Sequence, residues 1–143
     1  DVETGARWKP SDPAGFVFDV EFVEGDPGAA LLASDRAWAV ELASRQSTQL
    51  DTGHANVVVE LDYDAGSRRL GIGSCDRIVR ELNFAPRPSL LHGTTTFPEP
   101  HSDCVDLVAV GSGGHLLSSA SRTESTIEFR YGDRKSTRLN SSH

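Results

Sequence analysis

Hydrophobic and polar positions alternate with a period of two through much of the chain, and short polar turns interrupt the alternation. Over 56–63, Val59, Leu61 and Tyr63 share one face while Glu60 and Asp62 share the other, the pattern of a half-buried strand. Asp64-Ala65-Gly66-Ser67 then predicts a reversal, because Asp and Gly accept the dihedrals of a tight turn. Residues 69–74 predict a second strand, Cys75-Asp76 a second turn, and 77–82 a third strand. The same order stands upstream: strands over 16–22, 29–33 and 37–42, with turns at 24–28 and at Asp35. The pattern predicts an all-β chain.

The two stretches are copies. Phe22, Gly25, Asp35 and Arg36 recur 41 residues on as Tyr63, Gly66, Asp76 and Arg77, and Glu41-Leu42 returns at an offset of 40 as Glu81-Leu82. A third copy stands 47 residues beyond the second: His54, Leu61, Tyr63, Gly66, Leu70 and Ser74 return as His101, Val108, Val110, Gly113, Leu117 and Ser121. The surplus is expected in the Pro-rich connection from 85–88 to 98–100, since lengthening a loop costs little. A period of this size falls in the range of one propeller blade. It predicts a partial β-propeller of about three four-stranded blades, the third incomplete. The expected divisions are 1–13 as the end of a preceding segment or blade, 14–53 as the first blade, 54–100 as the second with its Pro-rich loop, and 101–132 as the third.

The motif residues resemble the WD-repeat family, in which Gly-His opens a repeat, Asp sits in the turn before the third strand and Trp-Asp closes that strand. Here Gly53-His54 is the opening pair and Asp76, within Gly73-Ser74-Cys75-Asp76, is the turn residue. Glu81-Leu82-Asn83 stands at the closing position without the Trp. The first copy keeps Asp35 but has Pro13-Ala14 in place of Gly-His, and the third keeps only His101. The resemblance spans about residues 14–131. It implies that His54, Ser74 and Asp76 form a buried hydrogen-bond chain, since an imidazole can donate from one nitrogen and accept at the other. A hydrolytic triad is the sharper reading of Ser, His and Asp. It is disfavoured because Ser74 and Asp76 are two residues apart and no Gly-x-Ser-x-Gly elbow is present.

The last 11 residues, 133–143, match the conceptual translation of a common sequencing adapter and are expected to be an artefactual tail. The chain contains no Met and starts at Asp1, so a slice of a longer repeat protein is expected. The formal net charge is −7, and becomes −9 once the three basic residues and one acid of the tail are set aside. An acidic chain without a basic stripe argues against nucleic acid as the main partner, and no apolar run approaches membrane-spanning length. Cys75 and Cys104 are the only cysteines. They supply neither a disulfide framework nor four-ligand zinc spacing, and are expected as free thiols in a reducing interior. His92, His101 and His115 fall on separate loops, so neither a metal nor another cofactor is expected. Trp38 is expected to pack between blades, and Trp8 to end a preceding blade's sequence.

These readings lead to an intracellular, cytoplasmic or nuclear scaffold that binds protein partners and carries no catalytic constellation. Its candidate interaction surface lies on turns and loops: Arg36, Arg77, Arg68, Arg69, Arg87 and Phe97. The alternatives are a carbohydrate-binding or hydrolytic propeller of another family and a β-sandwich with a chance repeat.

Overall fold

The computed structural model describes residues 15–26, 28–85, 90–96, 100–111, 116–121, 126–131 and 134–140. They build three four-stranded antiparallel sheets, each a meander in chain order. The first holds β1 (Asp19–Phe22), β2 (Ala29–Ala33), β3 (Ala37–Glu41) and β4 (Gln46–Leu50). The second holds β5 (Val58–Asp64), β6 (Arg69–Ser74), β7 (Val79–Ala85) and β8 (Leu90–Thr96). The third holds β9 (Val105–Val110), β10 (Leu116–Ser121), β11 (Thr126–Tyr131) and β12 (Arg134–Asn140). The first strands β1, β5 and β9 lie against one another, β1 against β5 and β5 against β9, as consecutive propeller blades do.

Residues 101–132 supply three strands of the third sheet, and Arg134–Asn140, within the stretch expected to be an artefactual tail, pairs antiparallel with β11 as the fourth. Edge pairing uses backbone N–H and C=O groups that every non-proline residue carries, so this segment needs no apolar alternation to take the place. The outer strands of the other sheets are equally hard to read. β4 is Gln-Ser-Thr-Gln-Leu, with only Leu50 buried. β8 occupies part of the stretch expected to be a Pro-rich connection.

Register tests the repeat pair by pair. Ala29↔Glu41 and Leu32↔Trp38 in the first sheet become Leu70↔Leu82 and Gly73↔Val79 in the second, every residue moved by 41. Leu82 therefore takes the place of Glu41, and Glu81 that of Val40, so the offset of 40 between Glu41-Leu42 and Glu81-Leu82 does not mark equivalent positions. In the first strand the offset is 40 instead: Phe22↔Ala30 corresponds to Asp62↔Gly71. Phe22 and Tyr63 are not equivalents, because the hairpin joining β1 to β2 is one residue shorter than the next. Between the second and third sheets, Tyr63↔Leu70 and Leu61↔Ile72 map onto Val110↔Leu117 and Val108↔Ser119 at 47.

The core follows the period-two alternation. Leu31, Ala33 and Ala37 point toward the second sheet and pack with Leu50, Val58, Leu61, Leu70, Ile72 and Leu82. Leu32, Trp38 and Val40, the intervening residues, cluster with Leu42 on the other face of the first sheet. Trp38 thus packs on its own sheet rather than in the seam with the second, and its indole N–H donates to Asp35 Oδ1 at 3.1 Å. Among the described residues, Val79, Val105 and Val108, with Val110 packed against them, fill the seam between the second and third sheets.

Turn chemistry differs between the copies. Gly25 holds the left-handed conformation its turn needs, but in the next hairpin Arg68 does so instead of Gly66. The Asp64 carboxylate anchors that hairpin by accepting from the Ser67 backbone N–H.

Candidate functional site

Two side-chain clusters and one cavity sit where the first strands of the sheets meet their turns. The first cluster is built on the β6–β7 turn. His54, buried, lies in the segment leading into β5, and its Nδ1 is 2.9 Å from Asp76 Oδ2. The same carboxylate oxygen accepts from the Ala55 N–H at 3.1 Å and from Arg80 Nη1 at 3.2 Å, while Oδ1 accepts from the Ile78 N–H at 3.0 Å. Arg80 Nη1 also stands 2.7 Å from His54 Nδ1. One nitrogen cannot donate and accept together. The carboxylate can only accept, and Arg80 already has Asp76 as an acceptor. The Nδ1–H tautomer therefore satisfies Asp76 and leaves Nε2 as a bare lone pair, and Nε2 is the buried ring atom without a partner. An unpaired acceptor there costs less than an unpaired N–H.

Burial lowers the His54 pKa; Asp76 opposes that and Arg80 adds to it, so the ring is neutral near pH 7. Burial alone would raise Asp76, but the His54 hydrogen bond and the Ile78 and Ala55 N–H groups outweigh it and hold the carboxyl down at about 2. Ser74 is fully buried in the same turn but is not bonded to the imidazole. Its hydroxyl donates to the Asn56 carbonyl at 3.3 Å and accepts from the Asp76 N–H at 3.1 Å. His54 and Asp76 are thus brought together directly, and Ser74 joins them through the backbone. Arg80 is a member that sequence reasoning missed. Its only signal is its position four residues after Asp76, which lets a long side chain fold back over the turn.

The second cluster is acidic and lies on the first strands. Asp19 Oδ2 on β1 accepts from the Leu61 N–H on β5 at 2.9 Å, and Asp62 Oδ2 on β5 accepts from the Val110 N–H on β9 at 2.6 Å. Each carboxylate occupies a backbone donor on the strand ahead, in the manner of an extra ladder bond. Charge-assisted bonds of this kind are stronger than neutral ones. Asp19 and Asp62 are 43 residues apart, off both repeat offsets, so no periodicity in the sequence marks them. Glu21, Glu60 and Asp106 stand close by. Burial first, and then Asp19, Asp62, Asp106 and Glu21, push Glu60 up to about 7. Burial and Asp62 raise Glu21 as well. The charges that raise Glu60 are all carboxylates of this band, which gathers negative charge along the first strands.

The cavity, about 240 Å³, draws its walls from all three sheets: Phe18, Val59, Cys75, Asp103, Cys104 and Asp106. Cys75 and Cys104 are joined in a disulfide, which corrects the expectation of free thiols. A separation of 29 residues carries no sign of proximity in the sequence; packing of the third sheet on the second puts the β6–β7 turn beside the start of β9. The free-thiol argument for a reducing interior falls with it.

The expected interaction surface divides into residues with different work. Arg36 is half-buried and its Nη1 donates to the Asp35 carbonyl at 2.8 Å. Arg69 Nη1 pairs with Glu81 Oε1, a carboxylate only 1% exposed, so its charge is committed to the fold. Arg68 and Arg77 are exposed and both adopt left-handed backbone, with φ of 56° and 69°; the Arg77 carbonyl accepts from the His101 N–H at 2.9 Å. Arg87 and Phe97 lie outside the described residues. Among the described residues, no group of three or more His, Cys, Asp or Glu side chains is arranged to hold a metal ion, and no helix is long and apolar enough to cross a membrane.

Three successive four-stranded meanders, packed first strand beside first strand, have the architecture of consecutive blades of a β-propeller. Among solved structures, the chain is similar to the crystal structure of the WD40 β-propeller domain of Doa1, with a TM-score of 0.66 and 16% sequence identity over 91% of this chain and 43% of that one. The chain therefore spans less than half the length of that neighbour, and the likeness is one of fold. No protein-family model matches, and no curated protein matches in sequence.

Proposed function

We propose that the chain is part of a propeller scaffold that docks protein partners carrying basic surface. The observation that carries this reading is the acidic band along the first strands, where Asp19, Glu21, Glu60, Asp62 and Asp106 stand together and burial, then the neighbouring carboxylates, push Glu60 up to about 7. A rigid frame with a band of carboxylates steers positively charged partners and disfavours polyanions such as nucleic acid. The WD40-type fold supports it, since such blades present loops of fixed geometry on a stable core. His54, Asp76 and Arg80 serve as framework in this reading, tying the segment before β5 to the β6–β7 turn.

Fluorescence anisotropy against arrayed basic, acidic and neutral peptides is the test. Basic peptides should bind, and affinity should fall several-fold between low and physiological salt. Equal binding of acidic and basic peptides would overturn the reading. So would a carbohydrate array that binds where peptides do not, which would favour a lectin-like propeller.

A further inference from the structure

We propose that the cavity where the three sheets meet is a socket for one basic side chain, lysine or arginine, of a docking partner. This names a site for the scaffold reading and rests on it. The described walls are Phe18, Val59, Cys75, Asp103, Cys104 and Asp106, and their chemistry is one-sided. Phe18, Val59 and the Cys75–Cys104 disulfide are apolar, and the polar side chains among the six are two carboxylates, which accept and do not donate. A sugar presents hydroxyls that both donate and accept, and would meet no side-chain donor among these walls. An anion would be repelled by the carboxylates. A purely apolar group would bury them without a partner. An ammonium or guanidinium on an aliphatic stem matches the walls: its head donates and cannot accept, and its methylenes lie along apolar surface. A calcium ion does not match, because it takes roughly six to eight oxygens and no group of three or more candidate ligands stands among the described residues.

The walls are fixed before anything binds. The Phe18 N–H donates to the Ala33 carbonyl at 2.9 Å, which anchors the residue before β1 to the end of β2. The disulfide ties the β6–β7 turn to the residue before β9, and Asp103 Oδ1 accepts from the Cys104 N–H at 2.7 Å. Walls held in this way leave less to be ordered on binding. Phe18 is 51% exposed, so about half of its surface is open to a cation, which the face of an aromatic ring attracts. The cavity volume, about 240 Å³, lies below the roughly 300–1,000 Å³ of sites that enclose a drug-sized ligand, and suits a single side chain. Asp106 also belongs to the acidic band, where its charge reaches Glu60. The socket is therefore continuous with the surface that attracts a basic partner, and a partner seated on that band can insert one residue.

Two titrations of the full chain test the socket. In the first, NMR of protein with labelled valine methyls follows Val59 as blocked lysine, arginine and norleucine amides are added. The lysine or arginine amide should shift the Val59 methyls saturably, and the tighter of the two identifies the head group. Norleucine amide keeps the stem without the charge and should bind at least about fivefold more weakly. Lysine and arginine amides that bind no better than norleucine amide overturn the cationic assignment. In the second, anisotropy with basic peptides compares wild type with Asp103→Asn, Phe18→Leu and Glu24→Gln. Asp103 and Phe18 are exposed, so their replacement leaves the fold in place. Glu24, exposed in the β1–β2 hairpin and outside the cavity walls, is the control for net charge. Asp103→Asn and Phe18→Leu should each weaken binding about fivefold, the size of an exposed ion pair or cation–π contact, and Glu24→Gln less than about twofold. Equal affinity of all three variants overturns the socket and leaves the scaffold reading standing. Failure of every basic peptide to bind wild type overturns both.

Discussion

Replacing Gly73 with Ala probes the seam between the second and third sheets by sterics alone. A Cβ built at Gly73 would lie 2.5 Å from the Val105 carbonyl oxygen and 3.0 Å from both Val105 Cγ1 and Val108 Cγ2. The nearest atom is backbone, so no side-chain rotation relieves it. Reaching ordinary contact requires β9 to retreat from β6 by about 1 Å, which loosens Val105 and Val108 from Val79. Overpacking of this kind costs roughly 1–3 kcal/mol. The lower unfolded-state entropy of Ala offsets about 0.4–1 kcal/mol, so a net loss of roughly 1–2 kcal/mol is expected. Gly66→Ala is the control, because its nearest neighbours are the Asp64 carboxylate oxygens at 3.8 and 3.9 Å, and it should be neutral or slightly stabilising. Urea denaturation of both variants, followed by circular dichroism with the disulfide intact, should lower the midpoint for Gly73→Ala by about 0.5–1 M. A Gly73→Ala protein as stable as the Gly66→Ala control would show that β9 does not approach β6 this closely, and the packing of the third sheet would have to be redrawn.

Glu60 predicts a specific pH dependence. Its folded pKa, about 7, lies above the ordinary 4.5, so its contribution is full below about 4.5 and is lost as pH rises through about 7. Wild-type urea midpoints should fall between pH 5 and pH 8 relative to those of Glu60→Gln, and parallel midpoints would refute this. Asp76 acts in the opposite sense. Its folded pKa of about 2 lies below 3.8, so its stabilisation holds above about pH 4 and is lost as pH falls toward 2; Asp76→Asn should flatten that acid limb in a fluorescence-monitored titration. Arg69→Met should destabilise by about 2 kcal/mol, because it removes a charge partner of the buried Glu81 carboxylate. Adding Glu81→Met should recover much of the loss, and additive losses in the double-variant cycle would deny the coupling. Phe16 and Phe22 are 83% and 70% exposed; replacing both with Ser should reduce self-association in analytical ultracentrifugation without lowering the thermal midpoint.

How much was legible depends on which physical signal each feature leaves in the chain. β5 is readable from its alternation of apolar and acidic residues, whereas β2 and β6, buried on both faces, are readable as short runs of small and apolar residues between turn signals. β4, β8 and β12 are edge strands held by backbone bonds, so their composition is nearly silent. Asp76 stood out as a turn residue and His54 as its partner through their place in the repeat. Arg80 did not, because a surface arginine on a strand looks the same in sequence whether or not it folds back over a turn. The pairing of Arg69 is silent in the sequence for a related reason: only the register of β6 with β7 sets it beside Glu81.

The sequence by itself determined the all-β character, the repeating unit near 41 residues and the identity of the core face, because these follow from local dihedral preference and period-two burial. Only the tertiary structure decided the rest. Packing of consecutive sheets placed Asp19 and Asp62 on the backbone of the strand ahead, raised the pKa of Glu60 by burying it and setting four other carboxylates near it, and joined Cys75 to Cys104 across a seam. Those contacts depend on distances between elements far apart in the chain, and side-chain spacing along a strand does not encode them.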